Sequence, residues 1–223
     1  MQNTPTPAKK RGRPAKTPEN VPHPYHHGSL PEALLHAAET VLRRDGLRGL
    51  TLRAIAREAG VSHTAPQHHF GDTAGVLAEL AASGHRRLAQ SMQQRAATLE
   101  PGADRGRAIA RGYVDFAVAN PDLFRLMSRN ELLDTERPSL VQARRMSAAG
   151  LADVFESVPD IAPGSNSAFG AMGTEQAIAM ASAWAHVHGL ASLLIDNRLN
   201  TLAAAPGTLR TPRDLVDAVI DTM

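Results

Sequence analysis

The chain has no cysteine, and its aromatic residues are one tryptophan, two tyrosines and five phenylalanines. The first absence rules out disulfides, thiolate metal sites and cysteine nucleophiles, and it fits a reducing compartment. The second leaves few bulky groups for a large flat ligand. No stretch alternates β-branched and polar residues long enough to make a strand, and no segment repeats at a fixed period. The N-terminus has charges but no apolar stretch behind them, so no secretory signal is expected and the cytoplasm is the expected compartment. No Ser/His/Asp constellation, phosphate-binding glycine loop or carboxylate pair stands out. An enzyme is therefore not expected, no catalytic residue is assigned, and no cofactor is expected.

What is present is apolar content and an uneven charge. At 223 residues and 43% hydrophobic content, the chain can bury a real core as one large helical domain or as a small head on a larger body. Residues 1–72 hold ten Lys/Arg against six Asp/Glu and seven of the ten histidines, whereas the remainder is mildly acidic. A basic head on an acidic body implies a polyanionic partner for the head. Residues 1–24 are rich in Pro, Thr, Lys and Arg and nearly lack apolar side chains, so they are expected to form a disordered basic arm.

The stretch Thr51 to Phe70, TLRAIAREAGVSHTAPQHHF, reads as two short helices broken by a glycine. Leu52, Ile55, Ala56 and Ala59 have the i, i+3, i+4, i+7 spacing of one buried helical face, and Thr51 is placed to cap it. Gly60 suits the turn, because glycine tolerates the positive φ that ends a helix. Ser62 is a candidate cap for the second helix, about His63 to Phe70, which has almost no aliphatic side chains. Most of its surface must face something polar, which is the arrangement of a helix-turn-helix.

The rest of the pattern is helical too. Ser29 and Glu32 form a capping box for a first helix whose inner face is Leu30, Ala33, Leu34, Ala37, Ala38, Val41 and Leu42, ending near Gly46. Asp72 or Thr73 can cap a long fourth helix with Val76, Leu77, Leu80, Ala81, Leu88 and Met92 inside. Ile109, Tyr113, Phe116 and Ala117 mark a helix that Asn120-Pro121 stops, and a short segment from Leu123 to Met127 follows. Pro138 suits a helix start, with Val141, Ala148, Leu151, Ala152, Phe155 and Val158 on its inner face. Residues 176–195 contain no charge over the length of a membrane span. Gln176, Ser182, His186, His188 and Ser192 are too many polar groups for hydrocarbon, so a helix buried on all sides is expected and no membrane partner. Ala177, Ala181, Ala185 and Gly189 are small residues four apart that would let another backbone approach closely. One chain of this size offers too few neighbours for such a helix, which implies a dimer seam shared with a last helix. Thr211 and Pro212 open that last helix, and Leu215, Val216, Val219 and Ile220 line it.

From Gly28 to Arg87 the chain resembles the DNA-binding domain of TetR-type (tetracycline-repressor-like) transcriptional regulators. The resemblance rests on LPEALLHAAETVL, Gly46, LTLRAIAREAGVS, His69-Phe70 and the capped helix with Val76 and Leu77. Tyr25-His26-His27-Gly28 and Trp184-Ala185-His186-Val187-His188-Gly189 resemble a branch whose C-terminal domain has a Trp-x-x-x-His-Gly signature. The resemblance implies an all-α fold: a three-helix head (25–88), a long fourth helix joining it to a helical body (89–223), dimerisation through the last two long helices, and often a ligand pocket. It also implies a homodimer on a palindromic double-stranded DNA operator, with recognition helices in major grooves about 34–36 Å or somewhat more apart. A small-molecule effector would move the fourth helices and release the DNA.

Matched position by position, Ser62, His63, Thr64 and Ala65 open the recognition helix, where Thr64 can hydrogen-bond a base edge and the Thr64 methyl or Ala65 can touch a thymine methyl. Thr51 and Arg53 lie where the preceding helix approaches phosphates. His69 is read as structural beside a core Phe70, and His68 stays open. Gln67 stands where the family usually has tyrosine, and Thr73 where it usually has lysine; losing that cation weakens phosphate binding. Pro66, at the fourth position of the expected helix, should distort its first turn. Lys9-Lys10-Arg11-Gly12-Arg13-Pro14 has the pattern of an AT-hook, with Arg11 and Arg13 entering an A·T minor groove, or else is a solubilising tail.

The histidines do not make a convincing metal site, since His23, His26 and His27 fall in or near the arm, while His186 and His188 point about 200° apart on a helix. No metal ligand is assigned. If the body holds a ligand pocket, Tyr113, Phe116, Phe124, Met127, Phe155, Met180, Trp184 and His188 are its candidate lining, although each taken singly is better read as plain core. Three function classes follow: an effector-responsive repressor, a ligand-independent or A·T-preferring DNA-organising regulator that uses the arm, and a helical enzyme or interaction module with a degenerate head.

Overall fold

The structure, a computed structural model, describes residues 30–152, 173–205 and 211–223. Every regular element among them is helical, as the absence of strand patterning requires. The expected basic arm, the expected cap Ser29 and the region around Phe155 and Val158 lie outside the described residues.

The head consists of α1 (Leu30–Gly49), α2 (Leu52–Glu58) and α3 (Ala65–Phe70). Of the expected α1 stripe, Leu34, Ala37, Ala38, Val41 and Leu42 are buried, whereas Leu30 in the first turn is half-buried and Ala33 is exposed; Gly46 takes φ 68°, which kinks the last turn before Gly49. The long α4 (Thr73–Ala96) starts at Asp72, whose side chain accepts from the Gly75 amide. That bond satisfies one of the amides left without partners at the start of a helix. Body helices follow: α5 (Ala103–Ala119), α6 (Pro121–Met127), α7 (Pro138–Ala152), α8 (Thr174–Ile195), α9 (Asn200–Ala203) and α10 (Pro212–Asp221). Thr211 and Asp214 form a reciprocal capping box at the start of α10.

α4 is the axis of the molecule. It packs on α1 and α3 of the head and on α5, α6 and α7 of the body, and the expected boundary near residue 88 falls inside this one helix. Its buried side chains belong to a single apolar cluster running from Leu34 to Ile220. On α7 the buried residues are Leu140, Ala143, Ser147, Ala148 and Leu151. The expected Val141 is only half-buried, because the stripe that faces α4 begins one residue earlier.

The expectation for α8 needs correction as well. Among its described side chains it completely buries Ala183, Val187 and Ala191, on a helix that packs against α5, α7 and α10, while Ile178 is 61% and Trp184 49% exposed. The Ala177–Ile195 window has the length and hydropathy of a membrane span.

At the α4–α5 crossing, the Cβ of any residue replacing Gly112 would lie 2.7 Å from the Ser91 carbonyl oxygen and 2.8 Å from the Met92 Cα. Both obstacles are backbone. Ser91 also donates its hydroxyl to the Gly112 carbonyl at 2.8 Å, which fixes the two helices at this spacing. Gly112→Ala should lose about 1–3 kcal/mol to overpacking, partly offset by about 1 kcal/mol of helix propensity. Thermal unfolding checks this: the melting temperature should fall by several degrees, and an unchanged or higher value would show that the crossing relaxes freely.

Candidate nucleic-acid interface and body cavity

The turn between α2 and α3 is built as the sequence predicts. Thr51 caps α2 by accepting from the Ala54 amide at 3.1 Å, Ile55 is fully buried, and Gly60 takes φ 66°. α3, however, begins at Ala65 rather than at His63. Pro66 therefore falls in the first turn, where no amide donor is needed, and it is buried instead of distorting the helix. Ser62 does not cap α3; its hydroxyl lies 3.0 Å from that of Thr64 and accepts from the Thr64 amide at 3.4 Å.

α3 buries only Pro66 and Phe70. Ser62, His63, Thr64, Gln67 and His68 are exposed, together with Thr51 and Arg53 on the neighbouring helix, while Ala65 and Thr73 are half-buried. His69, expected to be structural, is exposed too. Its ring meets His68 edge-on at 5.3 Å, and Phe70 alone takes the core position. Arg11 and Arg13 lie outside the described residues.

The junction between α3 and α4 is tight. Gly71 turns the chain at φ 86°, and a Cβ on Gly75 would come within 2.1 Å of the Phe70 carbonyl oxygen. Arg137, just before α7, donates to that same carbonyl at 3.4 Å and to Glu79 of α4 at 2.7 Å. Ser139 donates to the same Glu79 oxygen at 2.8 Å. The start of α7 thus grips both the end of α3 and the first turns of α4. On the other side, Arg87 of α4 reaches Glu39 of α1 at 2.9 Å and also bonds Asn120 at the end of α5.

In the body, α4, α5, α6, α7 and α8 line an open-mouthed cavity of about 480 Å³, within the usual range for small-molecule sites. Tyr113, Phe124, Met127, Met180, Trp184 and His188 of the sequence-based set line it. Phe116 is buried but faces elsewhere. The Tyr113 hydroxyl lies 2.9 Å from His188 Nδ1, and Phe124 stacks on the His188 ring at 5.1 Å. Burial pushes the Tyr113 hydroxyl above and the His188 imidazole below their ordinary ranges, keeping both neutral near pH 7.

The cavity's most polar wall was missed in the sequence: His85 of α4, and Arg144 and Ser147 of α7. A signal for two of them exists. His85 stands four residues after Ala81 and three before Leu88, both buried, and Ser147 stands four from Ala143 and four from Leu151, so each is a polar residue on an inward stripe. His85 Nδ1 lies 2.8 Å from the Ser147 hydroxyl, while its buried Nε2 has no hydrogen-bond partner. Desolvation, aided by the charge of Arg144, lowers the His85 pKa to about 4.

Comparison with known proteins adds two family matches. Residues 34–80 match the bacterial regulatory proteins of the tetR family, and residues 107–223 match the tetracyclin repressor-like C-terminal domain. Over 97 residues the chain is 27% identical to the uncharacterized HTH-type transcriptional regulator YobS of Bacillus subtilis (strain 168), covering 44% of this chain and 50% of that protein. The chain thus spans about half the length of this curated relative. A structure of a protein of unknown function from Rhodococcus sp. RHA1 superposes with a TM-score of 0.67 at 35% identity, covering 89% of this chain and 95% of that one. The TetR family transcriptional regulator PfmR from Thermus thermophilus shares the fold at a TM-score of 0.50 and 15% identity, over 84% and 94% of the two chains.

Proposed function

The chain belongs to the TetR family of DNA-binding transcriptional regulators, and we propose that it acts in the cytoplasm as a homodimeric repressor that leaves a palindromic operator when a small molecule occupies its body cavity. One observation carries this reading: α3 buries only Pro66 and Phe70 and turns His63, Thr64, Gln67 and His68 outward. These are short polar side chains at the end of a rigid head, suited to hydrogen-bonding base edges, while Thr51, Arg53 and Thr73 flank them toward the phosphates. The exposed α8 stripe of Ala177, Ala181 and Ala185, with open space beside Gly189, supports a partner surface for a second copy. The working division is an arm at 1–24, a DNA-binding unit at 25–88 and a ligand and dimerisation unit at 89–223.

Effector release has a physical route. α7 contributes Arg144 and Ser147 to the cavity wall, and the segment leading into it holds the Phe70 carbonyl at the end of the recognition helix through Arg137. A shift of α7 on ligand binding would therefore reach α3 directly as well as through α4.

The second reading, an A·T-preferring organiser of DNA, draws on the Lys9 to Pro14 segment. Selection from random duplexes, followed by footprinting and light scattering, separates the two. The repressor reading expects one palindrome protected by two protomers. Removing residues 1–20 should leave the selected sequence unchanged and lower the salt slope of binding by about two for each arm, if Arg11 and Arg13 each neutralise one phosphate. An unchanged slope removes the arm from the interface, and loss of all binding with the arm favours the organiser.

A further inference from the structure

Arg144 is the anomaly in the cavity. Its guanidinium lines a space otherwise walled mainly by Leu88, Phe124, Met127, Leu151 and Met180. Its side chain donates to the neutral amide oxygen of Asn130, and among the described residues no carboxylate lies within ion-pairing distance of it. Burial pulls its pKa below the ordinary value, an effect that the pull of Glu136 only opposes. A partly desolvated cation with no counter-ion among the described residues carries an electrostatic cost that an anion in the cavity would offset.

Beside it stands a hydrogen-bonding atom with no partner. The Ser147 hydroxyl has one hydrogen and two acceptors in reach, the Arg144 carbonyl at 3.1 Å and His85 Nδ1 at 2.8 Å. When that hydrogen turns to Nδ1, the neutral His85 ring must carry its own hydrogen on Nε2, the atom that has no partner. The ring can then donate from Nε2 without taking up a charge.

We propose that the cavity binds a small monocarboxylate with an apolar body, its carboxylate held by Arg144 and His85 Nε2 and its hydrocarbon or ring lying among Tyr113, Phe124, Met180 and Trp184. A single cation matches a single negative charge. A cationic ligand would meet Arg144 unfavourably, and a neutral one would leave its charge uncompensated. The proposal deepens the effector reading and rests on it only for regulation; the chemistry of the site stands by itself.

The test uses the full-length dimer with 4-phenylbutyrate and its neutral amide, 4-phenylbutyramide, and calorimetric titration of each. A hydrogen bond to a buried charge is worth a factor on the order of ten to a hundred, and the acid should bind more tightly than the amide by that ratio. Arg144→Gln keeps a donor but removes the charge and should bring the ratio to within about threefold, with thermal unfolding showing that the variant is folded. Ser147→Ala should weaken the acid more than the amide. Equal binding of acid and amide to the wild type, absence of binding by both, or a ratio that survives Arg144→Gln would overturn the proposal. Operator release is read separately: Arg144-dependent acid binding that leaves the operator occupied sinks the effector reading alone, and release by a neutral or cationic compound alone sinks the carboxylate alone.

Discussion

Gly75→Ala should cost operator affinity two orders of magnitude or more while the body helices stay folded. The added methyl would sit 2.1 Å from the Phe70 carbonyl oxygen and 2.9 Å from the Arg137 guanidinium. Arg137 ends a flexible side chain and can retreat, but the carbonyl is backbone and belongs to the last residue of α3. The clash is relieved only by moving the recognition helix away from the first turn of α4, by about an ångström or more. Base-edge hydrogen bonds weaken steeply once the donor leaves its aligned position, and each good base contact is worth about 1–3 kcal/mol. A two-fold dimer incurs the loss in both heads. Fluorescence anisotropy with the selected operator measures the affinity, and calorimetric titration of the body ligand shows whether the cavity survives. Operator affinity within threefold of wild type would show that α3 is not held where α4 begins.

This junction also marks the limit of what the sequence discloses. The spacing of Leu34, Ile55, Val76 and Leu88 locates the helices, since burying an apolar stripe is a local, periodic requirement. The cap at Asp72 and the breaks at Gly60 and Asn120-Pro121 are equally legible, because each depends on the backbone chemistry of one or two residues. That Gly75 is a point of backbone contact, or that Arg137 reaches across 67 positions to the Phe70 carbonyl, depends on how distant helices dock, and no periodicity records that. α3 starts at Ala65 rather than at the expected His63 for a similar reason. Ser62, His63 and Thr64 are three polar residues in a row that set no apolar phase for a helix start, whereas the structure uses Pro66 as a buried first-turn residue. At the cavity, the aromatic side chains were legible as bulk on inward stripes. His85 and Ser147 were legible in principle as polar interruptions of such stripes, but Arg144 was not, because a half-buried arginine on α7 has the same sequence signature as a solvated one.

The cavity and the open face of α8 are neighbours, and this sets the second large effect. Trp184 lines the cavity and is half exposed on the helix that carries the Ala177, Ala181 and Ala185 stripe. Ala181→Glu places a carboxylate on that stripe at a position exposed in the single chain, so the protomer itself should fold with little change in stability. In a two-fold seam the substitution occurs twice, and each uncompensated charge removed from water costs about 3–5 kcal/mol. Two such costs weaken dimerisation by at least about ten-thousandfold. Light scattering at micromolar concentration should then report a monomer, and operator affinity should fall by roughly 10²–10⁴ as the two heads lose their linkage. The cavity should be affected less, since its polar wall at His85, Arg144 and Ser147 comes from α4 and α7, so 4-phenylbutyrate should still bind the monomer. An Ala181→Glu chain that remains dimeric and holds the operator as tightly as wild type would remove α8 from the interface. The small side chains there would then need another explanation.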